Sequence, residues 1–421
     1  MPAPSYHRFA LCCTAFASVI NLLSPQLNAD DWNQWRGPNG LAIAADGNAV
    51  PTDFSPSKNV LWSAQVVGAG HSSPTVVGDL VVVTTADSTN QRQAVLGFER
   101  ATGKPAFTTI VSEGGFPETH PKNTHASPTV CSNGELFFAT FHHHNKVEAV
   151  AVNQAGKIVW KTDVGAFRPK QYLYGYAASP TLHNGKLIIS GDCDTVAWLV
   201  ALDSNSGKVV WKTDRPKMLN WASPIVANVA GKNQLLLSGA ERIASYNPEN
   251  GKLLWETPCL TMATCGTVVW DNDTVYASGG YPKKETVAVK ADGSGQVVWR
   301  NRVKCYEQSM LIHSGYLYAF DDNGILYCWD AKSGREMWKQ RFRGPVSASL
   351  TMADGKIFAC NERGNVWVFE ASPNGYQPVA QNQMGTSLFA TPTVVDNVMY
   401  LRAASGEGRS RQEAIFAIGN R

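Results

Sequence analysis

The stretch "ASPTLHNGKLIISGDCDTVAWLVALDSNSGKVVWKTD", residues 178–214, holds four short strand-like runs separated by turn signals. "ASPTLHN" (178–184) leads into Asn184-Gly185, a hairpin signal. "KLIISGD" (186–192) and "AWLVALD" (197–203) are a second and a third strand. "SNSGK" (204–208) is a turn, and "VVWKTD" (209–214) is the outer strand. Four antiparallel strands make one blade. A single blade cannot bury both of its faces, so it must stack on neighbours.

The neighbours are visible in the chain. "SPTVV" (73–77), "SPTV" (127–130), "SPTL" (179–182) and "SPIV" (223–226) open successive units. Weaker copies follow as "CGTVV" (265–269), "SMLI" (309–312), "SLTM" (349–352) and "TPTVV" (391–395). Each unit also carries a Gly-Lys-x-x-Trp segment or a relic of it, as in "AGKIVW" (155–160), "NGKLLW" (250–255) and "SGREMW" (333–338). A period of about 45 residues with several short apolar runs per unit marks a β-propeller. The fold class read from this is all-β: an eight-bladed propeller of four-stranded antiparallel blades. The eighth copy stops after a third strand, whereas "NVLWSAQV" (59–66) looks like an outer strand with no blade of its own. An N-terminal strand is therefore expected to complete the last blade and close the ring.

The tryptophans have a structural job on this reading. Trp62, Trp160, Trp211, Trp255, Trp299 and Trp338 recur at one position of the outer strand. An indole there covers apolar area between blades while its N–H finds a backbone partner. Truncating Trp211 should therefore cost far more than truncating Trp32, which lies outside the repeats.

The 421-residue chain opens with a segment that reads as an export signal. Arg8 precedes an apolar stretch from Phe9 to Leu23, and "LNA" (27–29) offers a cleavage site. The stretch is shorter than the roughly 20 residues a bilayer crossing needs. The expected division is a signal peptide over 1–29, an extension over 30–57 and the propeller over 58–421, with a periplasmic or secreted location and no membrane span after cleavage. Without Arg8, 36 basic side chains face 34 acidic ones, and no basic run makes a nucleic-acid footprint. Seven cysteines remain after cleavage, irregularly spaced and without a CxxC, so neither a disulfide framework nor structural zinc is indicated. One pair, Cys259–Cys305 or Cys265–Cys305, is placed to bridge blades.

The units resemble the pyrroloquinoline-quinone-type propeller repeat, which runs roughly Ala-x-Asp-x-x-Thr-Gly-Lys-x-x-Trp. "ALDSNSGKVVW" (201–211) and "CWDAKSGREMW" (328–338) carry the likeness. The opening "WNQWRGPNG" (32–40) looks like the start of secreted propellers of this type from planctomycete-like bacteria. The resemblance implies two kinds of relative. One is the quinone-dependent alcohol dehydrogenase, with a vicinal cysteine pair, a calcium site and an Asp base. The other is the non-catalytic, BamB-like periplasmic propeller that assists outer-membrane protein assembly. The vicinal pair here, Cys12-Cys13, lies in the leader. Fold does not decide between the two. The favoured reading is an exported binding or scaffold module for a protein partner or small ligand, with no cofactor expected. The alternative is an enzyme using a quinone or a divalent metal in the funnel. Nothing in the sequence speaks to oligomeric state.

Strand order places the long segments 112–125, 165–177 and 215–221 on one face, with 139–148 beside them. Long loops with aromatic and ionisable residues on a rigid scaffold are where binding lives. Counting back two residues from each repeat start gives His71, His125, Ala177, Trp221, Ala263, Glu307, Ser347 and Phe389 around the channel mouth. Of these His71, His125, Trp221, Glu307 and Phe389 are the candidate ligand contacts. The two histidines and the glutamate suit a metal or acid–base work. Tyr172, Tyr174 and Tyr176 alternate, which sets them on one side of an extended segment as a stacking surface. His142-His143-His144 reads as an ordinary polar loop.

Overall fold

The computed structural model describes residues 1–2 and 31–420. The export-signal reading and Cys12-Cys13 lie outside the described residues. From residue 60 onward the chain forms eight four-stranded antiparallel sheets. The third sheet runs Thr181–His183, Lys186–Asp192, Ala197–Asp203 and Val209–Asp214, from the channel outward. Seven sheets are built from consecutive strands. The eighth combines three C-terminal strands with Val60–Val66, which pairs antiparallel with Gln412–Ile418 and sets Ala64 opposite Ile415. Chain ends thus interlock, and no open sheet gap is left in the ring.

The outer-strand tryptophans hold adjacent blades together. Trp62 Nε1 donates to Arg100 O, Trp160 Nε1 to Ser204 O, Trp211 Nε1 to Pro248 O, Trp299 Nε1 to Ala331 O and Trp338 Nε1 to Ser372 O, at 2.7–3.1 Å. Each acceptor belongs to the next blade. Trp255 differs: its Nε1 donates to Gln234 Oε1 of its own blade, and Gln234 Nε2 reaches Ala291 O across the interface. The repeat glycine also meets these rings. At Gly334, φ is +73°, and a Cβ would sit 2.6 Å from Trp299 Cδ2 of the preceding blade.

A second ring of bonds surrounds the channel. The backbone N–H at the start of one blade donates to a Ser or Thr hydroxyl of the next. The links run Ser73 to Thr129 to Ser179 to Ser223, and from Thr267 through Ser309, Ser349 and Thr391 back to Ser73, at 2.9–3.0 Å. The repeated Ser-Pro-Thr is explained by this ring, except in the second and fifth blades, where the ring member lies two residues further on. In the second blade the ring member is Thr129, not Ser127, and the inner strand accordingly starts at Cys131.

Residues 31–54 are more than an extension. They plug one end of the channel and touch every blade at or beside its inner strand. Trp32 bridges Val76, Asn33 bonds Ser132, and Gln34 accepts from Thr181. Gly40 lies against Ile225, and Trp35 Nε1 donates to Thr267 Oγ1. Arg36 Nη2 donates to Met310 O at 2.6 Å, Ala44 N to Met352 O, and Asn397 N to Asn48 Oδ1. Trp32 is 3% exposed and belongs to the core with Phe54 and Val76. The expectation that Trp32 is peripheral is therefore corrected: it is a core residue, because the plug uses it to bind the first blade.

The seven described cysteines are all free thiols, so neither proposed inter-blade disulfide forms. Six are buried as small apolar side chains.

Candidate functional site

The plug makes the channel blind. A cavity of about 180 Å³ opens on the long-loop face, with Trp35 among its walls. His71, Ala177, Trp221, Glu307, Ser347 and Phe389 line it, as the sequence register expects. His125 and Ala263 do not. Ser127 and Cys265 hold their places. In both blades the register lies two residues downstream of the sequence count, which the hydroxyl ring at Thr129 and Thr267 fixes. His125 instead stands beside Phe116 at 4.2 Å, with burial lowering its pKa.

Rings and hydroxyls share the walls. Trp221 Nε1 donates to Gly175 O, and its ring meets Tyr174 edge-on at 5.9 Å. Phe389 stacks on His71 at 4.3 Å and 11°. Burial pulls His71 down to about 3, with the Arg402 and Arg411 guanidinium groups assisting and the Glu413 carboxylate opposing. His71 is therefore neutral throughout the physiological range. A loss of neutral imidazole near pH 6, which an ordinary histidine would give, does not apply to it.

One edge of the cavity is charged. Ser347 Oγ lies within hydrogen-bonding reach of Glu307 Oε2 and 2.7 Å from Glu362 Oε1. A hydroxyl has one proton, so it can donate to one of the two. The other contact requires a carboxyl group that donates. Burial raises the pKa of Glu307, and the nearby Glu362 and Asp322 carboxylates push the same way, against the Ser347 hydrogen bond and Lys122. Either carboxyl could hold the shared proton by geometry; the raised pKa of Glu307 favours Glu307 donating to Ser347, and Ser347 donating to Glu362. Lys122 Nζ, from the long loop before the second blade, closes the mouth at 3.1 Å from Glu362.

The three tyrosines are not on one side. Tyr172 adopts φ +51°, and Tyr174 N bonds back to Tyr172 O, so the segment turns instead of extending. Tyr172 is exposed and meets Tyr281 at 5.6 Å. Tyr174 enters the cavity, whereas Tyr176 is buried and donates to Ser190 O. The histidine triplet is also not a polar loop. His142 and His143 end the strand Leu136–His143 and are buried; only His144 is exposed, in the hairpin turn. Among the described residues no group of three ligating side chains is placed to hold a metal ion.

Trp35, Lys122, Asn123, Tyr306 and Glu362 were missed as site residues. Lys122 and Asn123 fall within a loop already marked by its length, but the others carry no repeat signal. A wider cleft of about 380 Å³ lies by Leu260, Lys283, Lys284 and Arg302. It lies off the axis, where the fourth blade leads into the fifth, and lacks aromatic walls, so the axial cavity is the better candidate.

A family profile described as outer membrane protein assembly factor BamB matches residues 91–291 and 283–412. The chain belongs to this family. Among curated relatives, a polyvinylalcohol dehydrogenase from Pseudomonas sp is 23% identical over 96% of this chain and 76% of its own length. BamB from Shewanella oneidensis is 23% identical over 60% of this chain and 76% of its own length. The crystal structure of BamB from Moraxella catarrhalis superposes with a TM-score of 0.61 at 14% identity, covering 85% of this chain and 96% of that one. A europium-containing methanol dehydrogenase gives 0.65 at 13% identity over 89% and 90%. An outer membrane protein assembly factor and a methanol dehydrogenase thus share this architecture, and the site must speak for itself.

Proposed function

We propose that this chain is an exported, non-catalytic binding propeller that holds a protein segment or a small ligand over its long-loop face. The division into a cleaved leader (1–29), an extension (30–57) and a propeller (58–421) belongs to this proposal, as does a periplasmic or secreted location. The observation that carries it is the blind, aromatic-walled cavity on the propeller axis. Both indole N–H groups are already engaged by the fold, and its ring hydroxyls each already accept a hydrogen bond. What remains toward a ligand is chiefly ring surface and one charged edge. Membership of the BamB family supports a protein partner, and no described helix is long and apolar enough to cross a membrane.

The second reading, a quinone-dependent oxidoreductase, is favoured by the polyvinylalcohol dehydrogenase match along nearly the whole chain. The residues present do not fit that group. Pyrroloquinoline quinone carries several carboxylates, which call for arginine or lysine. The cavity offers Lys122 alone, already paired with Glu362, and a carboxyl group beside it. An absorbance spectrum and metal analysis on the purified protein test the choice. Stoichiometric quinone together with alcohol-dependent dye reduction would overturn the binding role. Saturable ligand or peptide binding that Trp221→Ala abolishes, without such reduction, supports it.

A further inference from the structure

The charged edge of the cavity has an odd balance. Three carboxyl groups gather there: Glu307, Glu362 and Asp322. Two ammonium groups answer them. Lys122 stands 3.1 Å from Glu362, and Lys304 stands 2.9 Å from Asp322. Tyr306 and the Cys265 thiol also face Glu307, and burial keeps both in their neutral forms. His71, across the cavity, is neutral as well. The set therefore has one more acid than base, and a proton on Glu307 is what balances it. The shared Ser347 hydroxyl independently calls for one proton on the Glu307–Glu362 pair, from hydrogen-bond geometry.

A proton is one way to neutralise the odd carboxylate. A cation in the cavity is another, and the walls suit it. Trp35, Trp221, Tyr174, Tyr306 and Phe389 offer ring faces or edges to whatever occupies the space. Aromatic faces attract poorly hydrated cations. Lys304 Nζ already stands 5.3 Å from the Tyr306 ring centroid, so this edge of the site accepts a cation against an aromatic surface. A small metal ion is disfavoured, because it would need several oxygen ligands where the cavity presents mostly carbon.

We propose that the cavity binds an alkylated ammonium group, which enters as Glu307 releases a proton to solvent. The inference rests on reading the cavity as the ligand site. No bond other than the Glu307 O–H changes, and the site keeps its net charge. Lys122 at the mouth is a built-in competitor, since its ammonium stabilises the same carboxylates. Binding should therefore strengthen as pH rises from the acid side, by at most tenfold per unit, and level off once Glu307 is ionised in the free protein.

Choline and 3,3-dimethyl-1-butanol test this by calorimetry on the full chain, because they share a shape and differ in charge. Titrations at a series of pH values below neutral, each in two buffers of different ionisation enthalpy, report the protons released. Choline should bind with up to one proton released, the number falling as pH rises, and the neutral alcohol at least about tenfold more weakly. Lys122→Gln should tighten choline several-fold. Glu307→Gln should abolish the proton release, with its melting temperature serving as the check that it folds. Equal binding of both probes without proton release overturns the ammonium proposal and leaves the cavity reading intact. If neither probe binds at tens of millimolar, to the native chain or to Lys122→Gln, the proposal is refuted. Peptide or ligand binding sensitive to Trp221→Ala then decides the cavity reading separately.

Discussion

Gly334→Ala should destabilise the ring through two separable effects. The first is conformational. Gly334 has φ +73°, where an L-residue costs about 1–2 kcal/mol. The second is steric. The new Cβ would lie 2.6 Å from Trp299 Cδ2, 2.8 Å from Cγ and 2.9 Å from Cε3. Forcing a packed indole aside costs about 1–3 kcal/mol. Together the loss is about 2–5 kcal/mol. Gly315 in the same blade is the control: its φ is +78°, but nothing lies within 4 Å of its Cβ position. Gly315→Ala should therefore lose only the conformational part. A double-mutant cycle with Trp299→Ala isolates the contact. Once the indole is gone, Gly334→Ala should cost no more than Gly315→Ala. Urea unfolding followed by far-ultraviolet circular dichroism supplies the free energies. If Gly334→Ala costs the same in both backgrounds, the glycine is retained for its backbone angle alone, and inter-blade docking by the repeat glycine is wrong.

Other outcomes follow from buried groups. Trp32→Ala should cost about 3–5 kcal/mol, comparable to Trp211→Ala, because both side chains are nearly inaccessible; a loss below 1 kcal/mol, roughly a surface substitution, would remove the plug from the core. Burial lowers His142 to about 4, so between an ordinary histidine's pKa and that value the unfolded chain binds more protons than the native one. Stability should then fall as pH drops through this window, by up to about 1.4 kcal/mol per unit from this residue. His142→Gln should flatten that slope in urea midpoints measured against pH, and an unchanged slope would refute the buried neutral state. Tyr176→Phe leaves the Ser190 carbonyl without its donor and should cost about 1–2 kcal/mol in the same assay.

The blade count, the docking tryptophans and ring closure by residues 60–66 were legible because each is a local pattern repeated many times. The site was legible only where hydroxyl and tripeptide coincide. In the second blade Ser127 and Thr129 both carry a hydroxyl, two positions apart, and tertiary packing selects Thr129. That choice moved His125 out of the cavity. The fifth blade's weak "CGT" copy hid Cys265 in the same way. Tyr172, Tyr174 and Tyr176 alternate in sequence, but a turn at Tyr172 breaks the period on which the reading relied. The plug shows neither repeat nor alternation. Its bonds are made one by one to partners up to 349 positions away, a distance at which sequence pattern carries no signal.

Those distances set an order of events when the protein is made. A chain synthesised from its N-terminus exposes residues 31–66 first, yet their partners extend to Ile418. Blades one to seven pair within themselves and can form as the chain lengthens. Trp32 can dock on the first blade at once, but Phe54 must wait for the seventh blade and the strand Val60–Val66 for the last hairpin. Until then an apolar tail and an unpaired edge persist together, the combination that invites misassembly between copies. Ring completion is thus the slow, high-contact-order step. A C-terminal truncation of a few residues would strand the N-terminus and not merely fray one edge.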